Sequence, residues 1–175
     1  MIRSITMAAT QSAEFSIMIF TIVAIIAVII APVETNPCPH GWVHHASSCY
    51  LFISDVHKDW RGAMSHCNVL QAKLVEIETA AEDEFIRLHL KNNNYTGQFW
   101  MGLSDILREG EWVWMSSQKV ATYTNWGPGL PDNYANNEDC GTLWNHYGFL
   151  WNDKYCGHHV NFICENEMLE GMLVG

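Results

Sequence analysis

Six cysteines, from Cys38 to Cys164, constrain the fold of this chain more than any other feature of its sequence. None forms a Cys-x-x-Cys pair and no Cys/His spacing suits a zinc ion, so metal-bound thiols do not explain them. Disulfide bonds are the better interpretation, although six cysteines allow many pairings and the sequence alone does not choose among them. Since disulfides persist in oxidising compartments, we expect the chain from Cys38 onward to lie outside the cytosol.

Length and charge limit the number of domains and the kind of partner. The 175 residues suffice for one ordinary domain plus a leader, and eight tryptophans indicate a sizeable core. The net charge is -10, and residues 1–33 contain only Arg3 and Glu14, so the remainder carries the same balance. Such an anionic surface disfavours nucleic acid and acidic membranes as partners, and favours cations.

An uncharged, apolar run from Phe15 to Val33 forms the leader. Its length lies between that of a signal-peptide core and that of a membrane span. Few basic residues flank it, since only Arg3 precedes the run and Lys58 is the first to follow it. We therefore expect residues 1–33 to be a cleaved signal peptide and the product to be secreted. The alternative is an uncleaved signal anchor, which would make this a single-pass membrane protein.

Periodicity predicts an α+β domain. Asp59 is a plausible N-cap for a helix whose apolar residues recur at three- and four-residue spacing, and Thr79 with Glu82 forms a capping box that opens a second helix ending at Asn92. Short aromatic or β-branched runs predict strands over 99–103, 112–115, 140–144, 149–151 and 161–164. Between them, residues 116–139 form a long loop, which at this length is expected to be functional.

Side-chain oxygens are concentrated in and after this loop. The sequence runs Leu130-Pro131-Asp132-Asn133, then Asn136-Asn137-Glu138-Asp139-Cys140, and later Trp151-Asn152-Asp153. Calcium takes six to eight oxygen ligands and tolerates irregular geometry, so Asp, Glu and Asn side chains in this density predict a calcium site.

The chain from Cys38 to about Glu165 resembles the carbohydrate-recognition domain of C-type lectins. The order of the six cysteines, Trp100-Met101-Gly102-Leu103 (Trp-Ile-Gly-Leu in the family) and Trp151-Asn152-Asp153 carry the resemblance. It implies a C-type lectin-like fold with two helices, short antiparallel sheets, a long calcium-binding loop and three disulfides. The implied pairs are Cys38–Cys49, Cys67–Cys164 and Cys140–Cys156. The domain would span 34–166, with a short tail over 167–175, as in small secreted invertebrate lectins of the perlucin-like group linked to shell mineral.

The resemblance also implies a set of calcium ligands. Carried over by position, these are Asp132, Glu138, Asn152 and Asp153. The family has Glu or Gln where this chain has Leu130, which cannot ligate, so we expect calcium to be retained and sugar binding to be weakened. Leu130-Pro131-Asp132 stands where the family has its ligand tripeptide, and Asp132 as the third residue of that tripeptide is similar to the galactose-type arrangement. The implied sugar contacts are Asp132, Glu138 and Asn152, and the ring of Tyr134 is the best candidate for stacking on a sugar.

A second calcium site is implied at Asp105, Glu109, Asn133, Glu138 and Asp139. The alternative is that Asp105 and Glu109 are solvated turn residues. We assign Trp100, Trp112, Trp114 and Trp151 to the core, and the adjacent histidines at 44–45 and 158–159 to the surface rather than to zinc. Asn94-Tyr95-Thr96 is a glycosylation sequon.

Two functions follow from these observations. The first is a calcium-dependent lectin that binds galactose-type or other terminal sugars in innate immune recognition or adhesion. The second is a lectin-like domain without sugar binding that recognises a protein, mineral or ice surface, which Leu130 favours. No nucleophile stands beside a base, so we predict no enzyme. A weak lectin gains from multivalency, so self-association as a homo-oligomer would suit it.

Overall fold

The computed structural model describes residues 36–168, and the predicted leader and residues 169–175 of the predicted tail lie outside this range. The two helices are α1 (Trp60–Val69) and α2 (Ala80–Asn92). The nine strands are β1 (Val43–His45), β2 (Ser48–Lys58), β3 (Lys73–Leu74), β4 (Gln98–Ser104), β5 (Val113–Trp114), β6 (Lys119–Val120), β7 (Cys140–Trp144), β8 (Leu150–Lys154) and β9 (Val160–Glu167). The predicted α+β class is confirmed. Neither helix in this range is long and apolar enough to cross a membrane.

The strands form one connected sheet. Its main path runs β1-β2-β9-β4-β5-β6, while β7 pairs with β4 and carries β8 on its other side. All strand pairs are antiparallel except β4 with β9, the last strand, which run parallel. The hairpin of β7 and β8 therefore projects from the centre of the sheet, and it delivers Asn152 and Asp153 to the predicted site.

Alternating side chains of the central strands build a core on each face of the sheet. On β4, Phe99 and Met101 join one apolar cluster and Trp100 joins the other. Residues Ile86 and Leu90 of α2 pack in the first cluster, whereas α1 contributes to the second. The two-residue period of a strand thus places one helix against each cluster. All four tryptophans predicted for the core are buried, at 0 to 8% exposure.

Both predicted helix starts are present. The Asp59 side chain accepts a hydrogen bond from the backbone N–H of Gly62, and the Thr79 side chain accepts one from Glu82. The reciprocal bond of the capping box differs from the prediction, because the Glu82 carboxylate accepts from the N–H of Glu78 rather than from that of Thr79. Its second oxygen accepts from the Tyr50 hydroxyl at 2.8 Å, which ties α2 to β2.

The three implied disulfides, Cys38–Cys49, Cys67–Cys164 and Cys140–Cys156, are confirmed. The second joins α1 to β9 across 97 residues of sequence, and the third joins the first residue of β7 to the segment just after β8. In the chain-entropy account, a crosslink over a loop of this length removes on the order of 4 to 5 kcal/mol of unfolded-state freedom.

The long loop contains more regular structure than the sequence predicted. The strand β6 lies within it and pairs with β5, and a short 3₁₀ turn covers Tyr134–Asn136. Residues 125–127 of the loop are bound to β8 by backbone hydrogen bonds, from Gly127 N–H to Trp151 O at 2.8 Å and from Trp151 N–H to Asn125 O at 2.9 Å. The loop is therefore held against the strand that carries the predicted ligands.

Candidate functional site

Three predicted calcium ligands converge where the long loop meets β8. The carboxylates of Asp132, Glu138 and Asp153 place one oxygen each within 4.8 Å of one another. Within residues 36–168 this is the one group of acidic, histidine or cysteine side chains with the spacing of a metal site. Asp132 and Glu138 come from the loop, whereas Asp153 comes from the strand.

Asp153 is the structural centre of this group. It is fully buried, and its Oδ2 accepts hydrogen bonds from the backbone N–H groups of Asp132 at 2.9 Å and Asn133 at 2.6 Å. Its Oδ1 is buried without a hydrogen-bond partner among the described residues. A buried carboxylate oxygen left unpaired is costly, and a cation beside it would remove that cost.

The electrostatic interactions of the three carboxylates also favour a bound cation. Burial, and then the negative charges of Asp153 and Asp132, raise the pKa of Glu138. Burial likewise raises the pKa of Asp153, and Asp132 adds to the effect. Carboxylates that repel one another in a partly buried site favour a bound cation, and an all-oxygen donor set fits calcium rather than zinc. The residues present therefore fit the ion that the sequence predicts.

The two asparagines of the predicted sites are already engaged. Asn152 is 6% exposed, and its side-chain amide donates to the backbone carbonyl of Asp153, so Nδ2 is used and Oδ1 is the atom suited to ligation. Asn133 has a left-handed backbone with φ of 42°, and its Oδ1 accepts from the N–H of Glu138 at 3.1 Å. Asn133 therefore shapes the loop around Glu138.

Leu130 packs instead of ligating. The bond between Leu130 and Pro131 is cis. A Cβ placed on Gly127 would lie 3.1 Å from Leu130 Cδ1 and 3.3 Å from the Tyr147 ring. The missing side chain of Gly127 thus leaves room for Leu130 and Tyr147 beside its backbone, and Leu130 is partly buried there.

The acidic residues predicted for the second calcium site lie near one another, but they do not form a comparable cluster. Asp105 is buried, its N–H donates to Asp139 O at 3.2 Å, and its Oδ2 accepts from Gly110 N–H at 2.9 Å. Burial raises the pKa of Asp105, and the charges of Glu109 and Asp139 add to the increase. Its Oδ1 is buried and unpaired among the described residues. A second site there remains a prediction.

The other predicted residues occupy varied positions. Tyr134 is 75% exposed in the loop, as a stacking residue would need to be. Asn94 is exposed just after α2. His44, His158 and His159 are exposed, whereas His45 is partly buried and stacks on Phe85 with ring centroids 4.0 Å apart.

Asp83 is a supporting residue that sequence reasoning missed. It is 1% exposed on α2, where its Oδ1 accepts from Trp151 Nε1 at 2.7 Å and its Oδ2 accepts from Asn125 Nδ2 at 2.6 Å. One carboxylate thereby fixes both the strand before Asn152 and the loop opposite it. Its position three residues before Ile86 and seven before Leu90, on the buried face of the helix, was the available signal.

Comparisons with known proteins agree with this geometry. The family of the lectin C-type domain matches residues 56–166. A perlucin-like protein of Mytilus galloprovincialis is 35% identical over 151 residues, which cover 85% of this chain and 94% of that protein. Perlucin of Haliotis laevigata is 38% identical over 133 residues, which cover 75% of this chain and 84% of that protein.

Solved structures show the same fold. The carbohydrate-recognition domain of the mouse scavenger receptor C-type lectin superposes with a TM-score of 0.68 at 33% identity, covering 75% of this chain and 98% of that domain. C-type lectin domains are binding domains rather than enzymes, which confirms the prediction that this chain is not an enzyme. In general they bind carbohydrates and calcium.

Proposed function

This chain belongs to the C-type lectin domain family, and we propose that it is a secreted, calcium-dependent lectin that binds terminal sugars with a galactose-type preference. Innate immune recognition or adhesion is the proposed role. The observation that carries the proposal is the buried, unpaired Oδ1 of Asp153 beside the carboxylates of Asp132 and Glu138. Three carboxylates converge there and only Lys154 opposes their charge, from beyond ion-pair distance, so calcium would supply the positive charge that they need.

Each residue has a distinct part in this function. Asp153 would hold the ion and, through its other oxygen, keep the loop against β8. Asp132, Glu138 and Asn152 would ligate the ion and also exchange hydrogen bonds with sugar hydroxyls. Bound calcium supplies charge and coordination positions for hydroxyl oxygens. The exposed ring of Tyr134 would cover an apolar sugar face.

Leu130 is the reason to expect weak sugar binding. A polar residue at this position would add one hydrogen bond to a sugar hydroxyl, and a charge-assisted bond is worth about 1.5 to 3 kcal/mol. Without this hydrogen bond, the affinity for sugar should be about tenfold or more below that of a site with polar residues at both positions 130 and 132. Self-association into a homo-oligomer would compensate by avidity.

The proposal is tested by calorimetric titration of calcium into the protein from Glu34 onward, alone and with galactose or mannose. We expect saturable calcium binding that galactose strengthens more than mannose does. Calcium binding that neither sugar alters would contradict the lectin function while leaving the ion site in place. No calcium binding at all would contradict both.

The apolar side chain of Leu130, which lies against Gly127 and offers no oxygen ligand, favours a second candidate function. In this alternative the domain retains its calcium and binds a protein, mineral or ice surface in place of sugar. The two candidates differ in what a polar residue at position 130 would restore, because only a sugar-binding site gains a hydroxyl partner from it.

A further inference from the structure

A basic cavity lies beside the candidate ion site. It has a volume of about 360 Å³ and is lined by Gly97, Gln98, Trp144, Lys154, His158, His159 and Val160. None of these residues is acidic, although the chain as a whole carries a charge of -10. The cavity is therefore a local exception to the charge of the molecule, and an anion entering it meets no carboxylate in its lining.

Lys154 supplies the positive charge of this cavity. It is partly buried, and it makes no ion pair within 4.0 Å among residues 36–168, whereas Lys73, Arg87, Arg108 and Lys119 all do. The carboxylate of Glu138 attracts it from a longer distance. An anion in the cavity would add a closer partner to this partly dehydrated cation and so stabilise it.

Neighbouring side chains complete a set of donors. His158 and His159 are exposed at the rim, and a neutral imidazole still donates one N–H. Burial, and then the positive charge of Lys154, lower the pKa of His158, which shows that these two side chains are within electrostatic reach. Gln98 adds an amide, and Trp144 adds an aromatic wall with an indole N–H. Donors around an apolar wall suit an oxyanion attached to a ring.

The position of Lys154 relates this cavity to the ion site. Lys154 directly follows Asp153 and ends β8. The Cα atoms of consecutive residues lie about 3.8 Å apart, and their side chains point to opposite faces of a strand. A ligand that touches both must therefore pass around the end of β8, which requires more than one sugar ring.

We propose that the cavity at Lys154, His158, His159 and Trp144 binds the sulfate ester or carboxylate of an acidic oligosaccharide whose neutral sugar occupies the candidate ion site. This inference rests on the proposed carbohydrate-binding function and names its ligand class. Lys154 is the specificity-determining residue, because its charge would pair with the anion, whereas a neutral glycan offers it no opposite charge.

The test compares a neutral galactose-containing oligosaccharide with its sulfated and its uronic-acid counterparts by calorimetry in calcium buffer at constant ionic strength. The full-length wild-type protein should bind at least one acidic form about tenfold or more tightly than the neutral form. Lys154→Gln should remove that preference and retain binding of the neutral form in saturating calcium, which keeps the ion site filled despite the loss of the Lys154 charge near Glu138. Lys91→Gln is the matched control, since Lys91 is exposed, makes no described ion pair and lies outside the cavity.

Two results would overturn the proposal. One is equal affinity of the wild type for the neutral form and both acidic forms. The other is a preference that survives in Lys154→Gln. If the protein binds no oligosaccharide, the proposed lectin function fails. Titration with inorganic sulfate, monitored by the indole NMR signal of Trp144, then tests whether the cavity binds an anion. A saturable shift that is absent in Lys154→Gln keeps the anion site, and no shift rejects it.

Discussion

The carboxylate of Asp153 accepts a hydrogen bond from the backbone N–H of Asp132 at 2.9 Å, across 21 residues of sequence. The bond joins β8 to the long loop at the point where both carry predicted calcium ligands. One oxygen of Asp153 thus orders the loop, while the other is buried and unpaired. Loop order and ion binding share a single side chain, so each should affect the other.

Asp153→Asn should weaken calcium binding about tenfold or more, because it removes one of three clustered charges. It should also loosen the loop, because the amide oxygen is a weaker, uncharged acceptor for the N–H groups of Asp132 and Asn133, and the amide nitrogen cannot accept from them at all. Calorimetry measures the first effect, and amide hydrogen exchange over residues 127–139 measures the second. Asp55→Asn, an exposed change of the same kind on β2, should do neither.

Acid should release calcium from the site. In the absence of the ion, burial and neighbouring charges raise the pKa of Asp153 and Glu138, so the calcium-free fold binds protons more tightly than the unfolded chain does. The stability of the calcium-free protein therefore falls as pH rises from the unfolded to the folded pKa values of these two groups. Calcium needs the ionised form, so its stabilisation is present at neutral pH and is lost as pH falls. Melting temperatures with calcium and with chelator should differ clearly at about pH 7.5 and converge near pH 4. A constant difference would contradict this site.

Leu130→Glu should raise calcium affinity about tenfold by adding a carboxylate at the first tripeptide position. It should lower the stability of the calcium-free protein by about 1 kcal/mol, since a charged side chain replaces the partly buried apolar one that lies against Gly127. Calorimetry with galactose distinguishes the candidate functions. A gain in sugar affinity supports the lectin, and an unchanged affinity supports the domain without sugar binding. Leu130→Met keeps the apolar contact and serves as the control.

Glu165 should make the fold less stable at alkaline pH. Burial raises the pKa of Glu165 to about 7, against the opposing effect of Lys73. Between its ordinary pKa of 4.5 and this value the folded state holds a proton that the unfolded chain has lost, so stability falls as pH rises across the interval. Glu165→Gln should abolish this slope and stabilise the protein by up to about 3 kcal/mol above pH 8.

The geometry around Glu165 suits that substitution. One carboxylate oxygen accepts from the Ser48 hydroxyl at 2.8 Å and the other from the N–H of Glu76 at 3.2 Å. An amide can accept from Glu76 and donate to the Ser48 oxygen, which can also act as an acceptor. Urea unfolding at about pH 5 and pH 8.5 in chelator measures the effect. Glu84→Gln, an exposed change on α2 away from Lys73, controls for net charge. An unaltered slope in Glu165→Gln would contradict the assignment.

Asp83→Ala should destabilise the fold by about 2 to 4 kcal/mol, because it leaves Trp151 Nε1 and Asn125 Nδ2 without their acceptor in a buried setting. It should weaken calcium binding as well, since Trp151 fixes the strand that carries Asn152 and Asp153. Urea midpoints and calcium titration measure these effects. Glu84→Ala, exposed on the same helix, should stay within about 0.5 kcal/mol of the wild type.

Local patterns in the sequence predicted the helix caps and the buried tryptophans, because these depend on nearby residues or on single side chains. The caps at Asp59 and Thr79 were predictable, because a side chain bonds a backbone N–H three residues away. The burial of Trp100, Trp112, Trp114 and Trp151 followed from their size and apolarity. The disulfide pairs were predictable only through resemblance to a family, since spacing alone allows many pairings.

Features that depend on distant partners needed the tertiary structure. Nothing local distinguishes Asp83 from a solvated helix residue until Trp151 and Asn125 are brought to it. Nothing in the sequence singles out Lys154, because the cavity around it is assembled from four separate stretches, at residues 97–98, 144, 154 and 158–160. The sequence by itself determined which residue types carry charge, oxygen ligands and apolar surface, because these are properties of single side chains. Only the tertiary structure decided which of them meet in a site, since convergence depends on long-range packing.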